Sequence, residues 1–136
     1  MTPGSHGSTF GGNPLAVAAA NAVLDVMLEP GFFERTRKMS LLLKQKLASV
    51  VDRYPDVLSD VRGEGLLIGL KAVVPSGDLV SALREEKLLT VGAGENVVRL
   101  LPPLIIGDAE IDESVRRLER ACVRLSGASA KKEAAQ

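Results

Sequence analysis

The sequence predicts an α+β domain, a small and mainly antiparallel sheet with helices on one face, preceded by a long helical segment. Three observations carry this. Residues 57–125 run strand, strand, helix, strand, strand, helix, an order that segregates helices to one side of a sheet. The strand runs pair around glycine-rich turns, as hairpins do. Ahead of them, residues 13–53 read as two helices with no strand signal.

Each element has a local cause. Residues 2–12 hold Gly, Ser, Thr, Pro, His and Phe, a loop composition. Asn13 is a good N-cap, and Pro14 suits the first helical position, where its missing N–H costs nothing. "LAVAAANAVLDVML" continues the helix to about residue 29, apolar on nearly every face, so it requires cover on all sides. Pro30-Gly31 breaks it. In a second helix, about 33–53, Met39, Leu43, Leu47, Val50 and Tyr54 share one face. Arg35, Arg37, Lys38, Lys44, Lys46 and Asp52 fall mostly on the solvated side.

"VLSDVRGEGLLIGLKAVV" reads as two strands around Gly63-Glu64-Gly65, and "PSG" at 75–77 as a turn. Leu79, Val80 and Leu83 mark a short helix ending near Lys87. Strands follow at Leu88–Val91 and Val97–Leu101, and Pro102-Pro103 stops the ladder. Asp108 caps a last helix whose Ile111, Val115, Leu118, Cys122 and Leu125 lie on one face. The expected organisation is a loop or arm over 1–12, two linking helices over 13–54, an α+β domain over 55–126 and a frayed tail over 127–136.

Composition narrows the function. Lys+Arg and Asp+Glu both total 17, and aromatic residues make up 3%. Neither the basic surplus nor the stacking platforms of a nucleic-acid binder are there. No apolar run is long enough to span a bilayer. "MTPGSHGS" lacks the basic-then-apolar pattern of a secretory leader, and the single cysteine suits a reducing compartment, so the expected location is cytoplasmic. Cys122 lies in an apolar helical pattern and reads as a small buried hydrophobe. His6 is the one histidine, without the partners a metal site needs.

Two places invite chemistry. In "HGSTFGGNPLA", the glycine-freed backbone N–H groups and the hydroxyls of Ser8 and Thr9 could donate to phosphate oxygens beside a helix N-terminus. The same spacing also describes a plain surface loop that caps the helix. In "NVVRLLPPL", Arg99 interrupts an apolar strand and by alternation shares a face with Val97 and Leu101. Its planar fork suits a carboxylate. Arg62 in "DVRGEG" reads as a structural ion pair or hairpin support, while Glu64, Glu85, Glu86 and Glu95 read as solvated. No Ser/His/Asp set, P-loop or dinucleotide fingerprint can be assembled.

Taken together, "HGSTFGGNPLAVAAANAVLDV", "VRGEGLLIGL" and "NVVRLLPPLIIGDAEIDESVRRLE" resemble the C-terminal part of class III (ornithine-type) pyridoxal-phosphate aminotransferases, across nearly all of residues 4–125. The resemblance is strongest to bacterial acetylornithine-type members. It implies the C-terminal small domain of a fold-type I transferase. It also implies a homodimer in which the Thr of the loop, here Thr9 with Ser8 beside it, contacts the cofactor phosphate across the interface. Arg99 would bind a substrate carboxylate. The family's Schiff-base lysine and the Asp on the pyridine nitrogen lie upstream of this loop, so no catalytic residue is assigned. Lys38, Lys44, Lys46, Lys71, Lys87, Lys131 and Lys132 are outside that context. Gly92 stands where many relatives carry proline.

The implied parent reaction converts N-acetylornithine and 2-oxoglutarate to N-acetylglutamate semialdehyde and glutamate, a step of arginine biosynthesis. Ornithine, succinylornithine and 4-aminobutyrate are the alternative donors. The segment by itself is expected to bind no pyridoxal phosphate, to be inactive, and either to self-associate through residues 13–29 or to carry a disordered N-terminal arm. The alternative is a free-standing, non-catalytic module that binds a carboxylate, a phosphate or a protein partner.

Overall fold

The computed structural model describes Thr2, Gly4 and residues 6–133. Met1, Pro3 and Ser5 of the expected loop, and 134–136 of the expected tail, lie outside the described residues. The chain forms two compact units, residues 1–35 and 36–136.

The first unit contains α1 (Pro14–Met27). Asn13 caps it as expected: its Oδ1 accepts from the Ala16 N–H at 2.9 Å. Gly31, at φ +86°, ends the connection that follows. No residue of α1 is buried, and Leu15 is 82% exposed. Its apolar surround is thus uncovered in this chain.

In the second unit the core lies between one face of a four-stranded sheet and three helices. Helix α2 (Phe32–Arg53) starts ahead of it and contributes Met39, Leu43, Leu47 and Val50, the face expected from periodicity. The buried part of α2 therefore belongs to the α+β unit rather than to a linker. Strands β1 (Leu58–Glu64), β2 (Leu67–Ala72), β3 (Val91–Ala93) and β4 (Val97–Leu100) pair antiparallel throughout, in the order β1-β2-β4-β3. Leu58, Ile68, Leu70, Val98 and Leu100 face the helices and are buried.

The β1–β2 hairpin depends on Gly63 at φ +125°, because a Cβ there would stand 2.1 Å from the Leu67 carbonyl oxygen. Helices α3 (Ser76–Glu85) and α4 (Asp108–Glu133) complete the layer. Arg120 donates to Glu86 at 2.6 Å and Arg124 pairs with Glu85 at 2.8 Å, tying α4 to α3. The Arg120 hydrogen bond holds the Glu86 carboxyl below its ordinary range.

Three boundaries depart from expectation. "PSG" is not a free turn: Ser76 opens α3, and its N–H donates to Asn96 Oδ1 at 2.7 Å. Strand β3 is Val91–Ala93 rather than 88–91. Lys87 turns at φ +63° and the Leu88 N–H returns to the Leu83 carbonyl at 2.9 Å, holding Leu88 to the helix end. The tail expected over 127–136 is helical as far as Glu133, continuing α4 through helix-forming Ala, Lys and Glu.

Candidate functional site

The sheet face turned away from the helices is open, and Arg99 stands on it. Directly paired antiparallel residues share a face, so the register defines rows. The central row runs Arg62, Gly69, Arg99, Val91. Arg99 is exposed, between half-buried Val97 and exposed Leu101. Among the described residues no hydrogen bond or ion pair reaches its guanidinium. The alternation argument placed it correctly on the Val97 and Leu101 face, which is the open one.

Arg62 differs. Its Nε lies 3.2 Å from Asp60 Oδ2 and its Nη1 3.7 Å from Glu95 Oε2, the structural pairing expected of it. Glu95 sits in the β3–β4 turn, where Lys71 Nζ donates to its carbonyl oxygen. Gly69 makes room: a Cβ there would meet Val97 Cγ1 at 2.9 Å and Arg62 Cγ at 3.6 Å. A shallow groove lined by Arg62, Gly69, Val97 and Arg99 results.

Asn96 escapes the sequence reading. Its Nδ2 donates to the Ala72 and Val74 carbonyls, both at 2.8 Å, while its Oδ1 takes the Ser76 N–H. It thereby fixes the turn ahead of Arg99. The signal was a Gly-Glu-Asn turn with Asn able to take a positive φ, here +58°.

In the first unit, Ser8 and Thr9 lie on an exposed loop. The Gly11 N–H donates to the Ser8 carbonyl at 3.3 Å, and Asn13 Nδ2 donates to the Phe10 carbonyl at 2.7 Å. Among the described residues neither hydroxyl has a partner. A Cβ at Gly11 would lie 3.2 Å from Ser8 Oγ, so glycine keeps the space beside that hydroxyl clear. The helix end itself is mostly spoken for. Asn13 takes the Ala16 and Val17 N–H groups, and Pro14 has none. The loop hydroxyls, more than the helix terminus, are the donors available to a phosphate.

Among the described residues no group of three His, Cys, Asp or Glu could hold a metal, and no single helix is long and apolar enough to cross a membrane. Cys122 is fully buried. Burial, assisted by the negative charges of Asp56 and Glu119, pushes its thiol up to about 12.

Solved proteins that share this architecture include aminotransferases. The acetylornithine aminotransferase of Elizabethkingia anophelis matches 91% of this chain and 33% of its own, with a TM-score of 0.77 and 35% identity. An ornithine aminotransferase of Toxoplasma gondii, crystallised with partial occupancy of pyridoxal phosphate (PLP) at its active site, matches 93% of this chain and 31% of its own, with a TM-score of 0.78 and 29% identity. The family described as aminotransferase class-III matches residues 1–122, and the chain belongs to it. Acetylornithine aminotransferase 1 of Bradyrhizobium diazoefficiens is 76% identical over 134 residues, which are 98% of this chain and 33% of that protein. The acetylornithine aminotransferase of Brucella melitensis is 58% identical over 126 residues, 93% of this chain and 31% of that protein. The chain spans about a third of the length of these relatives.

Proposed function

We propose that this chain supplies the cofactor-phosphate loop and the substrate-carboxylate domain of a PLP-dependent N-acetylornithine aminotransferase. The enzyme would act as a cytoplasmic homodimer in arginine biosynthesis. One observation carries the site reading: Arg99, in "NVVRLLPPL", stands exposed on the open sheet face with no acidic partner among the described residues. The choice of substrate follows the relatives that bear that name.

The residues present fit the phosphate end of the cofactor. Ser8 and Thr9 offer unengaged hydroxyl donors, and Gly11 leaves the space beside Ser8 open. Bound PLP supplies the electron-withdrawing ring through which an amino group and a carbonyl exchange. Ser8 and Thr9 would donate to its phosphate oxygens. Arg99 would clamp a substrate carboxylate through two parallel N–H···O bonds, which fixes the orientation of the reacting end as well as adding affinity. The uncovered apolar helix α1 fits a segment that packs against the remainder of a larger enzyme.

The test is the mass of the polypeptide that carries this segment in its source cells, captured with an antibody to residues 36–126. The expected mass is about three times 14.4 kDa. In that enzyme Arg99→Ala should raise KM for 2-oxoglutarate about tenfold to hundredfold, the loss of a charge-assisted pair. A 14.4 kDa product that binds 2-oxoglutarate without transaminating it would overturn the enzyme reading in favour of a free-standing carboxylate-binding module. The self-contained core of the second unit makes that the second reading.

A further inference from the structure

Arg62 and Arg99 flank Gly69 on one face, yet among the described residues only Arg62 is paired. The difference is unexpected from charge alone. Glu95 is four residues from Arg99 on the same hairpin, and Asp60 and Glu64 stand in the rows on either side of Arg62. At strand spacings of about 4.8 Å and rows about 7 Å apart, long side chains reach from one row to the next. Arg62 engages two of these carboxylates, Asp60 and Glu95. Its stem passes over Gly69, 3.6 Å from where a Cβ would be, and its guanidinium extends from edge strand β1 across β2 to Glu95 while also contacting Asp60. A Cβ at position 69 would be in ordinary contact with that stem, and its close approach would be to Val97 Cγ1, at 2.9 Å.

We propose that Arg62 is a positioning residue that keeps Arg99 available to a carboxylate ligand by engaging the neighbouring carboxylates of Glu95 and Asp60. The proposal rests on the reading of Arg99 as a carboxylate binder. Without Arg62, the freed Glu95 becomes an intramolecular competitor for Arg99. A tethered group acts at an effective concentration of about millimolar or more, which a small dicarboxylate must then outcompete.

The test follows the side-chain Nε–H resonance of Arg99 by NMR in the 136-residue chain, without ligand and during titration with glutarate. In the parent chain the resonance should move saturably with glutarate. In Arg62→Gln the ligand-free resonance should shift toward that of a paired guanidinium, and the glutarate Kd should rise about tenfold. Arg62→Met keeps the stem over Gly69 without the charge and should behave alike, which covers any folding defect of the glutamine variant. Adding Glu95→Gln to either should restore both readouts to within about twofold, a rescue that a merely structural role for Arg62 does not predict. An unchanged resonance and Kd in both Arg62 variants, or no rescue by Glu95→Gln, overturns the proposal. A parent Arg99 that ignores glutarate overturns the carboxylate reading itself, whereas the ligand-free shift in the Arg62 variants still decides whether Arg62 diverts Glu95.

Discussion

Gly63→Ala tests the link between hairpin geometry and the stability of the α+β unit. Gly63 has φ +125°, a region essentially closed to side chains, and its added Cβ would stand 2.1 Å from the Leu67 carbonyl oxygen. Real Cβ atoms do not approach closer than 3.0 Å, so the two strands must part by about 1 Å. The backbone strain costs about 1–2 kcal/mol. Separation at this point weakens the Gly63↔Ile68 and Glu64↔Leu67 pairings, at about 0.5–1.5 kcal/mol for each hydrogen bond lost. The expected loss is about 3 kcal/mol, a large share of the roughly 5–15 kcal/mol typical of a domain. For a unit of this size that lowers Tm by about 12–20 °C.

Urea and thermal unfolding followed by far-UV circular dichroism measure it. Gly65→Asn is the matched control. Gly65 lies two residues on, at φ +54° in open space, where asparagine is tolerated, and should lose less than about 1 kcal/mol. A Gly63→Ala protein within 1 kcal/mol of the parent, or a Gly65→Asn protein equally damaged, would refute the reasoning.

Asn96→Ala removes three hydrogen bonds that join the β3–β4 turn to the β2–α3 connection. It should cost about 2–3 kcal/mol in the same unfolding assay. Cys122 should resist thiol reagents in the native state at pH 8 and react fully once urea unfolds the chain. Its thiol keeps its proton to about 12 when folded, against an ordinary value of 9.0. Above pH 9 only the unfolded chain loses that proton, so stability should decline from about pH 9 toward 12, and Cys122→Ala should flatten the decline. The exposed α1 should drive self-association in sedimentation experiments at micromolar concentration. A Val23→Glu, Leu24→Glu double variant should sediment as a monomer with an unchanged Tm, because neither residue is in the core.

Long periodic elements were the legible ones. Met39, Leu43, Leu47 and Val50, and in α4 Ile111, Val115, Leu118 and Cys122, repeat over several turns and are buried as their spacing requires. Asn13-Pro14 marked a helix start because capping is local. Short elements were legible only roughly. The start of α3 depends on Asn96, twenty residues away, and β3 begins where it does because Leu88 is held to the end of α3. Arg99 stood out as a charge within an apolar strand. Its lack of an acidic partner among the described residues did not, since the residues beside it are set by strand register.

The sequence by itself determined which residues face the core, where the first helix starts, and the family whose three segments recur in order along the chain. These are local or periodic properties, carried by side-chain volume, polarity and backbone preference within a few residues. The tertiary structure alone decided that α2 joins the α+β core, that Arg62, Gly69 and Arg99 form one row, and that only one of the two arginines is paired among the described residues. Strand register and cross-strand charge pairing join residues far apart in the chain, and their energies exist only once the sheet is assembled.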